Sequence, residues 1–371
     1  MPQEKHVGLY LQITTRYDLS VARGVIRYWE EHGGWQLTPA PRLDVSGRTH
    51  YDGLIAGLRT PAEARAVRHC RIPVVEVVGA VQVRAHVVSN DEEAIGALAC
   101  QHFRERGFRR FAFCGSDGVG WSDGRLRGYR AAAGGEVAVW QRPLAWWFDP
   151  GTPRSLAQWL KALQPPVGIL AANDFVGTKV LAACEFAGLV VPHQYAVVGV
   201  DNDDVLCRLS RPALSSVESE PERIGYTAAQ VLDRLMQHKT PGRTPVLIPP
   251  RQVVVRASSD ALANGDETVA TALRLIHSAD DLSLNVADIV RQMSLSRRAL
   301  EARFRRSLGH TLHDEIRKVR LSKACRLLVG TSLPVAKIAV LAGFSSAQSF
   351  HKVFSAHLNG TPLDYRRQHQ A

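Results

Sequence analysis

Two copies of one helical pattern, about fifty residues apart near the end of the chain, constrain its fold more than any other feature. The first copy runs Val286-Ala-Asp-Ile-Val-Arg-Gln-Met-Ser-Leu-Ser296 and continues through Arg297-Arg-Ala-Leu-Glu-Ala-Arg-Phe304. The second runs Val335-Ala-Lys-Ile-Ala-Val-Leu-Ala-Gly343-Phe-Ser-Ser346 and continues through Ala347-Gln-Ser-Phe350-His-Lys-Val-Phe354. Each reads as an apolar helix, a short turn with a small residue, and a second helix capped by Ser. That is the helix-turn-helix pattern, whose second helix enters the DNA major groove.

The side chains sort accordingly. In the first copy Val286, Ile289 and Val290 form the packed face, and Leu295, Leu300 and Phe304 anchor the next helix. Ser296 is the N-cap, which leaves Arg297, Arg298, Glu301 and Arg305 pointing outward. Arg suits guanine and Glu accepts from cytosine, while an Arg that meets only phosphate positions without specifying sequence. In the second copy Ile338, Leu341, Phe344, Phe350 and Phe354 build the core. Ala347, Gln348, His351 and Lys352 remain exposed; Gln reads adenine, and the Ala methyl can meet a thymine methyl. A single helix from Thr311 to Val329 separates the copies. Its length of about 27 Å could set two recognition helices near one DNA turn apart.

Charge agrees with a polyanionic partner. From Asp266 onward the chain carries 16 Lys/Arg against 9 Asp/Glu, a net +7 out of +11 for the whole sequence. Such a field attracts DNA and releases its counterions. No apolar run approaches the roughly 20 residues of a membrane span, and no long apolar stretch follows Met1. The expectation is a cytoplasmic protein without a membrane partner. The six cysteines, at 70, 100, 114, 184, 207 and 325, lack zinc-ligand spacing and read as buried thiols.

Residues 6 to about 258 read differently. Short apolar runs at Val7–Ile13, Gly53–Ala56, Val74–Val77, His86–Ser89, Arg110–Cys114, Val167–Ala171 and Ala196–Val200 alternate with helical stretches. The helical stretches are Ser20–His32, Glu92–Arg106, Arg125–Ala133, Ser155–Leu163 and Phe175–Ala187. This is the signature of parallel sheets covered by helices, in which ligands bind beyond the carboxyl ends of the strands. Polar groups collect at such ends: Tyr17-Asp18, Asn90, Trp121-Ser-Asp-Gly-Arg125, Asn173-Asp174 and Asp201-Asn-Asp-Asp204. Carboxylates, amides and an Arg suit polyols, whose hydroxyls both donate and accept, and an aromatic ring can stack on the sugar face. Asn173-Asp174 can equally cap the following helix. Asp201–Asp204 lacks the spacing of a calcium loop, so neither a metal nor a cofactor is expected.

No G-x-S-x-G, Walker A or H-E-x-x-H pattern is present, and Gly115–Gly120 reads as a plain strand-to-helix loop, so an enzyme is not expected. A constitutive DNA binder whose front domain only dimerises stays open as an alternative. So does a sensor for a non-sugar effector such as a purine.

The last hundred residues resemble the AraC/XylS family of transcription regulators. The resemblance rests on Gly309-His-Thr, Ile338-Ala-Val-Leu-Ala-Gly-Phe-Ser-Ser346 with Phe350 and Phe354, and Gly360-Thr-Pro-Leu-Asp-Tyr365-Arg. Ala302 departs from it, since many members carry Arg there. The front half resembles the LacI/GalR sensor domain, itself similar to periplasmic sugar-binding proteins. The matching runs are Tyr51-Asp-Gly-Leu-Ile, Gly107-Phe108, Arg125-Leu-Arg-Gly128-Tyr, Ile169-Leu-Ala-Ala-Asn173-Asp174 and Val197-Val-Gly-Val-Asp201-Asn202. That resemblance implies sugar contacts at Arg125, Asn173 and Asp201. Asp18 and Asn90 join them as residues following strands of lobe one, with Tyr17 or a Trp stacking. The fusion is similar to the bacterial xylose-operon regulators. It implies a homodimer controlled by a small sugar, D-xylose, that activates sugar-catabolism genes, with RNA polymerase as a further partner.

The expected fold is thus an α/β two-lobed periplasmic-binding-protein-like sensor domain followed by an all-α double helix-turn-helix domain. The sensor would span 1–258, with lobe one at about 5–107 and 218–238 and lobe two at about 108–217 and 246–258. A linker would follow at 259–265. The DNA-binding domain would occupy 266–371, with its units at about 285–307 and 335–357.

Overall fold

A computed structural model of the chain describes residues 4–13, 15–43, 51–148, 152–239, 245–261, 266–278, 285–331, 333–358 and 360–369. It divides into two compact units, residues 1–263 and 264–371.

The first unit begins with β1 (Lys5–Tyr10), α1 (Arg16–His32), β2 (Trp35–Pro39), β3 (Gly53–Ala56), α2 (Pro61–Val67), β4 (Val74–Glu76) and β5 (His86–Asn90). It continues with α3 (Glu92–Glu105), β6 (Arg110–Ser116), α4 (Gly120–Ala133), β7 (Val137–Arg142), α5 (Thr152–Ala162), β8 (Val167–Ala171) and α6 (Asp174–Ala187). Then come β9 (Tyr195–Val200), α7 (Asp204–Leu209), β10 (Ser215–Glu218), α8 (Pro221–Met236), β11 (Val246–Ile248) and β12 (Gln252–Val254).

These strands form two sheets of one design. Lobe one is ordered β11-β5-β4-β3-β1-β2 and lobe two β12-β10-β9-β8-β6-β7. Every pairing is parallel except β10 with β12. Central strands such as β8 and β9 are buried along their whole length, which is why they read as unbroken apolar runs. The sequence reading passed over β2, β7 and β10. The first two are edge strands with mixed burial, and β10 carries three polar residues in four.

Two assignments to the lobes change. The sequence reading placed α3 in lobe one, but Ile95, Ala99, Cys100 and Phe103 pack with Phe108, Tyr129 and Val198 of lobe two. Close backbone approach explains the choice. A Cβ on Gly96 would stand 2.1 Å from Arg125 O, and one on Gly128 1.9 Å from Glu93 O, so α3 can seat only against α4. Lobe one repeats the device between α1 and α8, where a Cβ on Gly225 would stand 1.9 Å from Val21 O. The second change concerns β11, expected in lobe two, which pairs with β5 of lobe one through Val246 and Val88. Pro249 and Pro250 follow it. Having no N–H, they end the strand, and the chain crosses to lobe two before β12.

The lobes are therefore joined by three crossings: β5 to α3, β10 to α8, and β11 to β12. They lie side by side, with Asp91 N donating to Ile248 O at 2.8 Å and Arg251 N to Glu218 O at 2.9 Å. Ser259, expected in the linker, is fully buried in this unit with its Oγ 2.8 Å from His102 Nε2. Residues 262–265 of the expected linker lie outside the described residues.

The second unit comprises α9 (Glu267–Ser278), α10 (Val286–Gln292), α11 (Arg297–Leu308), α12 (Leu312–Gly330), α13 (Val335–Leu341), α14 (Ala347–Leu358) and α15 (Pro362–His369). Capping fixes the boundaries. Asn285 with Asp288 and Thr311 with Asp314 form reciprocal capping boxes, and Ser296 Oγ accepts from Ala299 N. Phe344, Phe350 and Phe354 pack with Ile338, Leu321 and Leu328 in the core of the second pair. Leu341, expected in that core, is 42% exposed, because only one face of the short helix α13 is covered. Arg366 fastens α15 by donating to Leu328 O at 3.1 Å and Leu333 O at 2.6 Å.

Candidate ligand cleft and nucleic-acid interface

The carboxyl ends of both sheets supply the polar groups of the first unit. In lobe two, Arg125 lies within α4, whose first turn holds Trp121; the helix starts five residues before the Arg125 that the sequence reading gives as its first residue. Arg125 is only 3% exposed. Its Nε donates to Glu92 Oε2 at 2.6 Å, its Nη1 donates to Ala172 O, and its Nη2 stands 3.5 Å from Asp201 Oδ1. The guanidinium also lies 5.3 Å from the Trp121 ring centre. Burial alone would weaken this cation, but Glu92 and Asp201 raise its pKa instead. Burial raises both carboxyls above their ordinary range against the pull of Arg125. A buried charge of this kind persists only when paired and hydrogen-bonded.

Lobe one contributes Tyr17, Asp18 and Asn90. Asp18 is fully buried; its Oδ2 accepts from Arg59 Nη2 at 2.5 Å and from Thr15 Oγ1 at 2.7 Å. Asn90 Nδ2 donates to Glu92 Oε1 at 3.3 Å. The remaining oxygens, Asp18 Oδ1 and Asn90 Oδ1, are buried without a hydrogen-bond partner among the described residues. Tyr17 OH donates to Val77 O at 2.9 Å. Burial, with the charges of Glu92, Asp201 and Glu76, pushes its phenol well above the usual range, and its ring and that of Trp121 pack against the same core cluster. Glu92 joins the halves, since one oxygen takes Asn90 of lobe one and the other takes Arg125 of lobe two.

Asn173 stands apart. Its Oδ1 accepts from Val176 N at 2.9 Å and caps α6, which fixes the side chain and leaves its Nδ2 as the donor for a ligand. Asp174 beside it is buried, accepting from Ser216 Oγ and from Asp203 N, each at 2.6 Å. The structure therefore brings Arg125, Asp201, Tyr17 and Asn90 together around Glu92. It gives Asp18 an unpaired oxygen and Asn173 a structural duty. Glu92, Arg59 and Glu76 escape the sequence reading, and Asp174 is singled out there only with Asn173 as a polar strand end. Asn90-Asp-Glu-Glu93 did carry a signal: four polar residues follow a buried strand, and only Asp91 is needed as the cap of α3.

In the second unit α10 and α11 form one helix-turn-helix pair, and α13 and α14 the other. Arg297, Arg298 and Arg305 are exposed on α11, as Gln348 and Lys352 are on α14; Ala347 and His351 are half-buried. Glu301 departs from the outward expectation. It is half-buried, and its Oε2 accepts from Leu312 N at 3.4 Å, toward the positive end of α12. Arg303 is likewise engaged, donating to Thr268 Oγ1 at 2.9 Å. The spacer α12 has 19 residues, or about 28 Å of helix.

Comparison with known proteins agrees with both halves. Residues 100–259 match the periplasmic binding protein-like domain, and residues 289–368 match a helix-turn-helix domain. The xylose operon regulatory protein of Escherichia coli strain K12 is 30% identical over an alignment of 380 positions that covers 97% of this chain and 96% of that protein. The protein of the same name from Haemophilus influenzae is 28% identical, covering 97% of each chain. A solved structure described as the xylose-binding transcription activator xylR superposes with a TM-score of 0.83 at 29% identity, covering 100% of both chains.

Burial, reinforced by the nearby Asp201, pushes the Asp174 carboxyl up to about 8 from an ordinary 3.8. The folded chain thus holds a proton that the unfolded chain releases. This contribution to stability is complete below about pH 4 and is lost as the pH rises through about 8. The thermal midpoint should therefore fall between about pH 5 and pH 8.5 more steeply in the wild type than in Asp174→Asn. Melts followed by circular dichroism check this, and equal slopes would contradict it.

Proposed function

The chain belongs to the family of bacterial xylose operon regulatory proteins, and from that premise we propose that D-xylose is its effector and that it activates sugar-catabolism genes. It is a DNA-binding transcription regulator with a sugar-sensing domain. The observation that carries the reading of the pocket is Asn90, set with Arg125 and Asp201 around Glu92, whose buried Oδ1 has no hydrogen-bond partner among the described residues, as is true of Asp18 Oδ1 in the same lobe. Unpaired buried acceptors cost free energy until a donor reaches them. A pentose supplies such donors, and its ring and hydroxyl oxygens accept from Arg125. Tyr17, its hydroxyl tied to Val77 O, offers a fixed ring for the apolar face of the sugar. Arg125 lies over Trp121, so that ring is engaged already. Asn173 contributes its Nδ2.

Sugar held by residues of both lobes stabilises the closed cleft. A closed sensor that favours one arrangement of the DNA-binding unit then changes operator affinity. Arg297, Arg298, Arg305, Gln348, His351 and Lys352 face the DNA. Ala347 is set against a thymine methyl, and Ser296 fixes the start of α11. We assign Glu301 to the helix interface in preference to a base. The protein acts as a homodimer in the cytoplasm, with RNA polymerase as a further partner and no catalytic duty. No helix among the described residues is long and apolar enough to cross a membrane.

A thermal-shift titration tests the effector. D-xylose at 100 times its dissociation constant should stabilise the protein by about 2.7 kcal/mol, and Asp201→Ala should abolish the shift. A shift with purines and none with pentoses would replace the effector class. For the interface, Arg298→Ala and Gln348→Ala should each relax preference at one base position by about 1–3 kcal/mol in selection from a randomised duplex pool. Uniform weakening across all sequences would assign the side chain to phosphate.

A further inference from the structure

The chain leaving the sensor is fastened to the loop that carries Asp201. Arg256 follows β12, the last strand, and Asp266 at the start of the DNA-binding helices is ten residues further on. Arg256 Nη2 donates to Asn202 Oδ1 at 2.7 Å and Nη1 to Leu214 O at 3.0 Å. Its main chain is locked onto Ser215, whose Oγ accepts from Arg256 N at 2.7 Å and donates to Arg256 O at 2.8 Å. Beyond it, Ser258 Oγ donates to Val197 O at 2.6 Å and accepts from Ser215 N at 2.8 Å.

The other end of this contact is conformationally unusual. Asp201 and Asn202 have φ of 100° and 51°, in the left-handed region that residues other than Gly seldom adopt. Consecutive residues of this kind persist where their surroundings over-determine them, and ligand clamps are such places. Asn202 N donates to Ser216 Oγ at 3.0 Å, so the side chain held by Arg256 and the main chain held by Ser216 together fix the loop. A displacement of the main chain at Asp201 passes directly to its neighbour Asn202. The rigid fork of a guanidinium transmits that displacement to the exit segment.

We propose that the Asn202–Arg256 contact couples the effector site to the outgoing chain, with Arg256 a positioning residue for the regulatory response and not for sugar affinity. The inference rests on the reading of Asp201 as a sugar ligand. Coupling between sites requires an element that both sites bias, and this contact is joined to the ligand site through Asp201 and to the tether through Arg256.

The test uses the full chain and an operator duplex selected by the protein from a random pool. Operator affinity is measured with and without saturating D-xylose, and D-xylose affinity by calorimetry, for wild type, Asn202→Gly, Asn202→Asp and Arg256→Gln. Gly accepts the left-handed backbone, so Asn202→Gly removes only the acceptor, while Asn202→Asp retains it. Asn202→Gly and Arg256→Gln should keep D-xylose affinity within about threefold. The sugar-induced change in operator affinity, of the order of 5–150-fold between coupled sites, should collapse toward one. Asn202→Asp should preserve it. Variants that switch like the wild type would overturn the inference. So would a loss of sugar affinity in proportion to the lost switching, which would make the contact a support of the pocket alone. A wild type that responds to no sugar would overturn the Asp201 reading as well, which separates the two failures.

Discussion

Arg125 is the interaction on which the sensor depends. Its guanidinium is taken out of water at the meeting point of four segments. It is held by Glu92 at the start of α3, Ala172 after β8, Asp201 after β9 and the Trp121 ring in its own helix. An unpaired charge there would cost several kcal/mol, so each segment is constrained to keep its partner in place. Glu92 extends the constraint across the lobes through Asn90. In the proposed reading the same cluster that solves a desolvation problem also lines the cleft. A polyol entering it meets charged groups that are already fixed, which lowers the ordering cost of binding.

The DNA-binding unit solves its own problem by different means. Each recognition helix is short, and an isolated helix of about 12 residues is marginal in water. Tertiary packing supplies the difference, through Leu300, Phe304 and Leu308 in α11 and through Phe350 and Phe354 in α14. Arg303 and Arg366 show that the excess of basic residues is not all available to DNA, since both donate to neighbouring segments of this unit. The helix α12 then sets the distance between two readers.

Much of this was legible in the sequence. Parallel strands buried on both faces read as apolar runs, and capped amphipathic helices announce their ends, so Val167–Ala171 and the Ser296 cap stand where the pattern put them. Which sheet α3 covers was not legible. Periodicity shows that a helix has an apolar face but not what meets it, and here the near contact of Gly96 and Gly128 with the facing backbones decides. Proline does carry such information, yet the sequence reading keeps Pro249 and Pro250 inside one segment, 246–258, given whole to lobe two. Glu92 was hidden because an acidic residue in a first helical turn is ordinary. Asn173 was visible as both cap and ligand, and its cap hydrogen bond is present. Leu341 and Glu301 show the limit of helical-wheel reasoning in a helix only two or three turns long, where neighbouring elements decide which faces are covered.

If the cleft controls the DNA-binding helices, the coupling must be reciprocal, because a sugar that changes operator affinity by some factor has its own affinity changed by the same factor. The most direct measurement is the dissociation constant of D-xylose for the full-length protein, alone and saturated with a selected operator duplex. The sugar should bind more tightly in the presence of operator, by the same factor with which it strengthens operator binding. Equal sugar affinity in the two states would contradict control of DNA binding through this cleft.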